Sequence, residues 1–439
     1  MITDAEVSLN FKKMFINLFI YFCIFFSSLT YATDYNISSS TTSRITLGAS
    51  DTLTVTNGGD ITYTGWPAVA ANGVTFSSGT TQVTNAGTIS ATTGYNINFT
   101  SSTRPTLVNS GTITTPGTRP IYAGSSANAS ITNSGTISQT GGSGYTGIYA
   151  DSSTDMTITN SGTISTVDDK AILAWDSDDM TINNTGTISA GGDYGIQGDN
   201  ADGLTVTNSG TISAGGVYAI YIRNADNVNI TNSGTITSAR DPINMQSSTG
   251  TVSITNSGTI SQTGGGYNDG LTLQDNATFT NTGTLTASRY AIGGSSSGVT
   301  IVNKGTITGG TYDFYVPSMT ITTLTNGQGG SDALVYRGKM PTNYKLFVAS
   351  TSSYGKFAKE WGTSGTTTFS IDTASSLAAN TYTDVFTNTT SSRFAGGLTG
   401  TCVCSNGVFT WTLSDGNGDD KWDLAIAADT TKPTTTFSP

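Results

Sequence analysis

The chain has 439 residues, only 11% of them charged, with 53 glycines and a net charge of −11. An acidic chain without a basic cluster is a poor nucleic-acid binder, because phosphate binding relies on clustered Lys and Arg. Histidine is absent, which excludes Ser-His-Asp and Cys-His catalysis, histidine-bound metals and imidazole acid–base chemistry.

Residues 1–32 read as a secretory signal peptide. Lys12 and Lys13 precede the apolar run Met14–Phe26, and Thr30, Tyr31 and Ala32 place small residues around a cleavage point after Ala32. The run falls short of the ~20 residues that a spanning helix needs, so cleavage is favoured over a membrane anchor. The expected localisation is secreted or on the cell surface, at the outer membrane or extracellular. Residues 33–50 are expected to form an N-terminal cap.

Over residues 51–330 one phrase recurs, as in "MTITNSGTIS" at Met156–Ser165. Its central Asn falls at Asn57, Asn85, Asn109, Asn133, Asn160, Asn184, Asn208, Asn232, Asn256, Asn281 and Asn303, with a degenerate copy at Asn326. Most intervals are 24 residues, a period that signals a solenoid. Apolar columns keep fixed offsets from the marker. Met156, Met180, Leu204 and Val228 stand four before it, Ile158, Ile182, Val206 and Ile230 two before, and Ile164, Ile188, Ile212 and Ile236 four after. Twelve after stand Ile172, Ile196 and Ile220, joined by Ile148 once a three-residue insertion is removed.

The spacing of two is strand alternation. Each coil therefore carries three short strands joined by Gly/Asn/Asp turns, and stacked coils build three parallel sheets around one core. The fold class is all-β, a right-handed parallel β-helix. About twelve coils at ~4.8 Å per rung give a rod of roughly 55–60 Å. The marker Asn shares the parity of the inward Ile residues, so its amide points inward and needs partners. Stacked at rung spacing, the amides form a ladder, and the Gly two residues later permits the corner to bend.

Runs of "ITNSGTIS" at this period resemble the β-helical passenger regions of bacterial autotransporters and related surface proteins, over about Asp51–Gly327. The resemblance implies an adhesin-like binding or display scaffold. Such families carry a membrane β-barrel, but no series of ~10-residue alternating strands with aromatic girdles stands in this chain. Membrane association is therefore expected only through a domain outside it.

Residues 331–428 change character: the marker stops and Trp361, Trp411 and Trp422 enter, which reads as a β-rich capping module. Residues 429–439, "DTTKPTTTFSP" in sequence, resemble the leader into an immunoglobulin-like repeat and are expected to be a linker. In "TCVC" a disulfide between Cys402 and Cys404 would be strained across one residue, so none is expected, and two thiols are too few for zinc.

Few residues suggest chemistry. Glu occurs only at Glu6 and Glu360, whereas a glycosidase needs a carboxylate pair. Asp176, Asp178 and Asp179 stand together but suit turns, and Arg223 and Arg240 would serve a polysaccharide lyase only by analogy. No enzyme is expected; the alternative is a carbohydrate-active β-helix lyase or hydrolase. "SDGNGDD" at Ser414–Asp420 begins like a calcium loop without its Gly and distal Glu. Thr88, Thr112, Thr136, Thr163, Thr187, Thr211, Thr235 and Thr259 form an outward column resembling the ice-facing surface of β-solenoid ice-binding proteins. Asp178, Asp202 and Asp226 recur at the 24-residue period. They are either turn residues or a calcium site bridging rungs, the only cofactor expected. The expected partner of this monomeric rod is a surface receptor or glycan.

Overall fold

The computed structural model describes residues 32–48, 50–64, 68–70, 81–142, 144–248, 250–265 and 269–429. The expected signal peptide, apart from Ala32, and the expected linker from residue 430 lie outside the described residues. Within them the chain is a parallel β-solenoid of about twelve coils. A typical coil runs Thr157–Asn160, Thr163–Thr166 and Ile172–Trp175 before Thr181–Asn184 opens the next.

The first strand of each coil builds a first wall of 15 strands, from Asp34–Ile37 to Thr368–Ile371. The second strands build a second wall of 11, from Asp60–Tyr63 to Thr306–Gly309. The third wall starts at Ile45–Thr46 and stacks in parallel as far as Asn380–Thr387. There Trp422–Ala428, Gly407–Ser414 and Thr399–Cys404 add in antiparallel fashion and close the rod.

The apolar columns line the core. Ile158, Ile182, Ile164, Ile188, Ile172 and Ile196 are all fully buried. Burying each such side chain contributes roughly 1.5–3 kcal/mol, and no coil has an apolar face of its own to bury it against.

The marker asparagines also lie inside and form the ladder. Asn184 donates from Nδ2 to Asn208 Oδ1 at 2.8 Å, and Asn208 to Asn232 Oδ1 at 2.8 Å. The same Asn208 Nδ2 reaches the carbonyl oxygens of Gly210 at 3.2 Å and Thr235 at 3.1 Å. Each buried amide is thereby held by its own corner and by the next coil, which offsets its desolvation.

Asn57 is not part of this ladder. Val55 pairs with Asn85, while Asp60 pairs with Thr88, so Asn57 and Gly58 are two extra residues exposed at the first corner. Facing Val55, Asn85 Oδ1 has no hydrogen-bond partner.

The corner glycine serves a different purpose from the one its spacing suggested. A Cβ on Gly210 would lie 2.1 Å from the Gly186 carbonyl oxygen, and one on Gly186 would lie 2.2 Å from that of Gly162. Close stacking of backbone on backbone, not freedom to bend, excludes a side chain there.

Two expected boundaries prove softer in the structure. Residues 33–50 already form a coil: Asp34–Ile37 pairs with Thr52–Val55, Thr41 bridges Ile61, and Ile45–Thr46 pairs with Val69–Ala70. At the other end, parallel pairing crosses residue 330 through Leu334–Gly338 and Asn343–Leu346. What stops is the second wall. The Gln328 amide takes the place of its next strand, accepting from Ile307 N at 2.7 Å and donating to Ile307 O at 2.9 Å.

Beyond that point aromatic packing replaces the Ile columns. Tyr344, Phe357, Phe369, Phe386 and Trp411 meet at ring-centroid distances of 4.9–6.4 Å. Cys402 and Cys404 are joined by a disulfide, contrary to the expectation from their spacing. Both face the buried side of strand Thr399–Cys404, and their Cα atoms stand 5.3 Å apart, within normal disulfide range.

Candidate functional site

The acidic column is in place. Asp178, Asp202 and Asp226 occupy equivalent turns between the third and first walls. Each carboxylate receives a backbone N–H of the next coil: Asp202 N to Asp178 Oδ1 at 3.0 Å, Asp226 N to Asp202 Oδ1 at 2.7 Å, and Gly250 N to Asp226 Oδ1 at 2.6 Å. Asp176 accepts from Asn200 Nδ2 at 2.8 Å. These turns use left-handed backbone at Asp176, Asp179, Asn200, Gly203, Asn224 and Asn227, which Asp, Asn and Gly tolerate best. The acids thus serve turn geometry and inter-coil capping.

Among the described residues, no group of three or more acidic or cysteine side chains converges as metal ligands would. The "SDGNGDD" loop closes on itself, with Asp415 accepting from the N–H groups of Gly418, Asp419 and Asp420 at 2.9–3.2 Å.

The Thr column stands on the outer face of the second wall in register, as in Thr187, Thr211 and Thr235. A Ser/Thr column runs beside it through Ser189, Ser213 and Thr237. The outer first wall is similar, with Thr181, Thr205 and Asn229 in one column.

The third wall is different. From its inward Ile positions the register fixes two outward columns. One reads Tyr122, Tyr149, Leu173, Gln197, Tyr221 and Asn244; the other reads Gly124, Asp151, Trp175, Asp199, Arg223 and Gln246. At the corner before them Tyr95, Tyr194, Tyr218, Tyr290 and Tyr312 add further rings. Tyr194, Tyr218 and Tyr221 lie 5.0–5.6 Å apart by centroid, and Tyr95 stacks on Tyr122 at 4.7 Å.

Cations cover several rings. Arg119 sits 4.9 Å from the Tyr149 centroid, Lys170 5.4 Å from Tyr194, Arg240 5.5 Å from Tyr218 and Arg289 4.2 Å from Tyr290. Arg223 pairs with buried Asp199 through both Nε, at 3.0 Å, and Nη2. Arg223 and Arg240 are thus engaged in an ion pair and over a ring face, respectively.

Two further acids meet on this wall. Asp241 and Asp269 occupy equivalent positions on neighbouring coils, and Asp269 N donates to Asp241 Oδ1 at 3.1 Å. Burial, then the neighbouring Asp241 charge, pushes the Asp269 carboxyl up to about 6. Asp241 is also raised by burial, against the pull of Asn244 Nδ2 at 2.8 Å.

The sequence pattern missed this face because its outward residues differ from coil to coil. The only advance signal was the recurrence of Tyr just before or after the Ile twelve positions past the marker. Among protein families, curated proteins and solved structures, none matches this chain.

Proposed function

We propose that the chain is a secreted or surface-displayed rod, an adhesin-like binding scaffold without catalysis, of the kind carried by autotransporter passengers. One observation carries the reading: the walls are unequal. The first two present Thr, Ser and Asn columns, whereas along the outer face and corner of the third nine tyrosines pack ring against ring. Tyr and Arg are the residue types enriched where proteins hold partners, and a rigid sheet presents them without ordering loops on contact.

The test is attachment of the purified chain to candidate host or bacterial cells. Loss of attachment on Tyr149→Ala with Trp175→Ala, and none on Thr187→Ala with Thr211→Ala, is the expected outcome. Equal attachment by both variants sinks the third wall as the binding face.

A carbohydrate-active reading draws support from Asp241 and Asp269, since neighbouring rungs hold carboxyls at about the spacing of a retaining glycosidase pair. Release of reducing ends from polysaccharide, abolished in Asp269→Asn, would establish that reading over the scaffold.

A further inference from the structure

The outward strip of the third wall contains one group whose needs are unmet. Gln197 faces outward yet is only 6% exposed, and its Oε1 has no hydrogen-bond partner. Its Nε2 lies 3.5 Å from Asp199 Oδ2, so the amide is oriented with its acceptor unused. A buried acceptor left so is costly, and a ligand donor that meets it on a change of rotamer would relieve it.

The neighbours of Gln197 narrow the ligand. Trp175 and Tyr149 are half-buried aromatic surfaces one and two coils away. Trp175 stands in its column between Asp151 and Asp199, with Arg223 next.

Charge decides against two classes. The guanidinium charge of Arg223 is already met by Asp199, and Arg119 over the Tyr149 ring is offset by the Asp151 carboxylate beside the same ring, so a polyanion gains little here. An apolar partner would bury the Asp151 charge, which now accepts from Tyr122 Oη at 3.0 Å and Ser152 Oγ at 3.2 Å, and would leave Gln197 Oε1 without a donor, which is costly. A neutral polyol meets every demand. Its hydroxyls donate to Asp151 and Gln197 and accept from Arg223, while its C–H faces lie against the negative faces of the rings. The receptor also repeats at ~4.8 Å, about the length of one hexose in an extended chain.

We propose that the strip formed by Tyr149, Asp151, Trp175, Gln197, Asp199 and Arg223 binds a neutral glycan chain laid along the rod axis. This rests on the third wall being the binding face and names the chemistry of its ligand.

The experiment probes the full chain on an array of immobilised neutral and uronate-rich oligosaccharides, followed by titration of the best neutral binder with Trp fluorescence as readout. Neutral chains are expected to bind and uronates not. Trp175→Ala is expected to weaken binding about tenfold. Gln197→Leu removes the orphan acceptor, so it should raise the melting temperature while weakening binding. An array without a neutral ligand, or unchanged affinity in both variants, overturns the proposal. Cell attachment that depends on Trp175 but survives complete deglycosylation of the cells overturns the glycan alone and leaves the binding rod standing. Attachment indifferent to the third wall overturns the binding-face reading itself.

Discussion

Asn208 shows how much one side chain can be asked to do inside a stacked fold. Its Nδ2 serves Asn232, Gly210 and Thr235, and its Oδ1 receives Asn184. Asn208→Asp keeps the shape but turns three donations into oxygen–oxygen contacts. The loss is expected to be about 3 kcal/mol or more at pH 7. Burial raises the pKa of the new carboxyl, so the deficit should shrink as pH falls and the acid protonates. Equal melting temperatures for mutant and parent at pH 7 would place the residue outside the ladder.

Asp269 makes a second residue-scale prediction. Its folded carboxyl titrates at about 6, above the ~3.9 of an unfolded Asp. The folded state therefore holds the proton more tightly, and the stability this confers is complete below the unfolded value and lost as pH rises through 6. Melting scans should show a higher midpoint at pH 5 than at pH 7.5, with a flatter profile in Asp269→Asn. An unchanged profile in that variant would show that other groups carry the effect.

Among the elements, the corner joining the first and second walls is the least forgiving. Gly210→Ala places a methyl 2.1 Å from the Gly186 carbonyl oxygen, and that backbone is itself pinned by the coil above and below. Alanine at 210 should depress the melting temperature far more than Thr211→Ala one residue on; similar effects would mean the coils can part. This corner is also why the fold was legible. Asn, Gly and Ile at fixed offsets answer restraints that every coil shares, so the pattern repeats.

The outer third wall obeys no such shared restraint. Tyr149, Leu173, Gln197 and Tyr221 are equivalent in register but not in kind, so periodicity could not single them out. The Cys402–Cys404 bond was missed for a related reason. Spacing along an ideal, fully extended strand overstates the separation of residues i and i+2, which here is 5.3 Å. Asn57 was misassigned because two inserted residues restored the motif after the register had already shifted.

For the whole molecule, the coil is the unit of length. Deleting residues 185–208 removes one 24-residue period and joins Asn184 to Ser209, restoring the N-x-G-T-I phrase. The shortened chain should fold, with small-angle scattering reporting a rod shorter by ~4.8 Å. Turns absorb odd intervals, as between Asn256 and Asn281, but a 23-residue deletion that joins Thr181 to Thr205 leaves an odd residue inside a strand. There it turns side chains to the wrong face, and that chain should melt lower. If both deletions behave alike, register does not govern assembly.

The asparagine ladder has a direction. From Asn85 to Asn303 each amide donates to the next coil, as in Asn85 to Asn109 at 2.7 Å and Asn281 to Asn303 at 2.9 Å, and none donates backward. Aligned amide dipoles polarise one another, so the two ends of the rod differ electrically: one finishes in the lone oxygen of Asn85. A part-built rod growing from its N-terminal end always offers an N–H at its tip, ready for the carbonyl of the next asparagine to arrive. The chain can thus zip from its N-terminal end, each arriving coil templated by the one before.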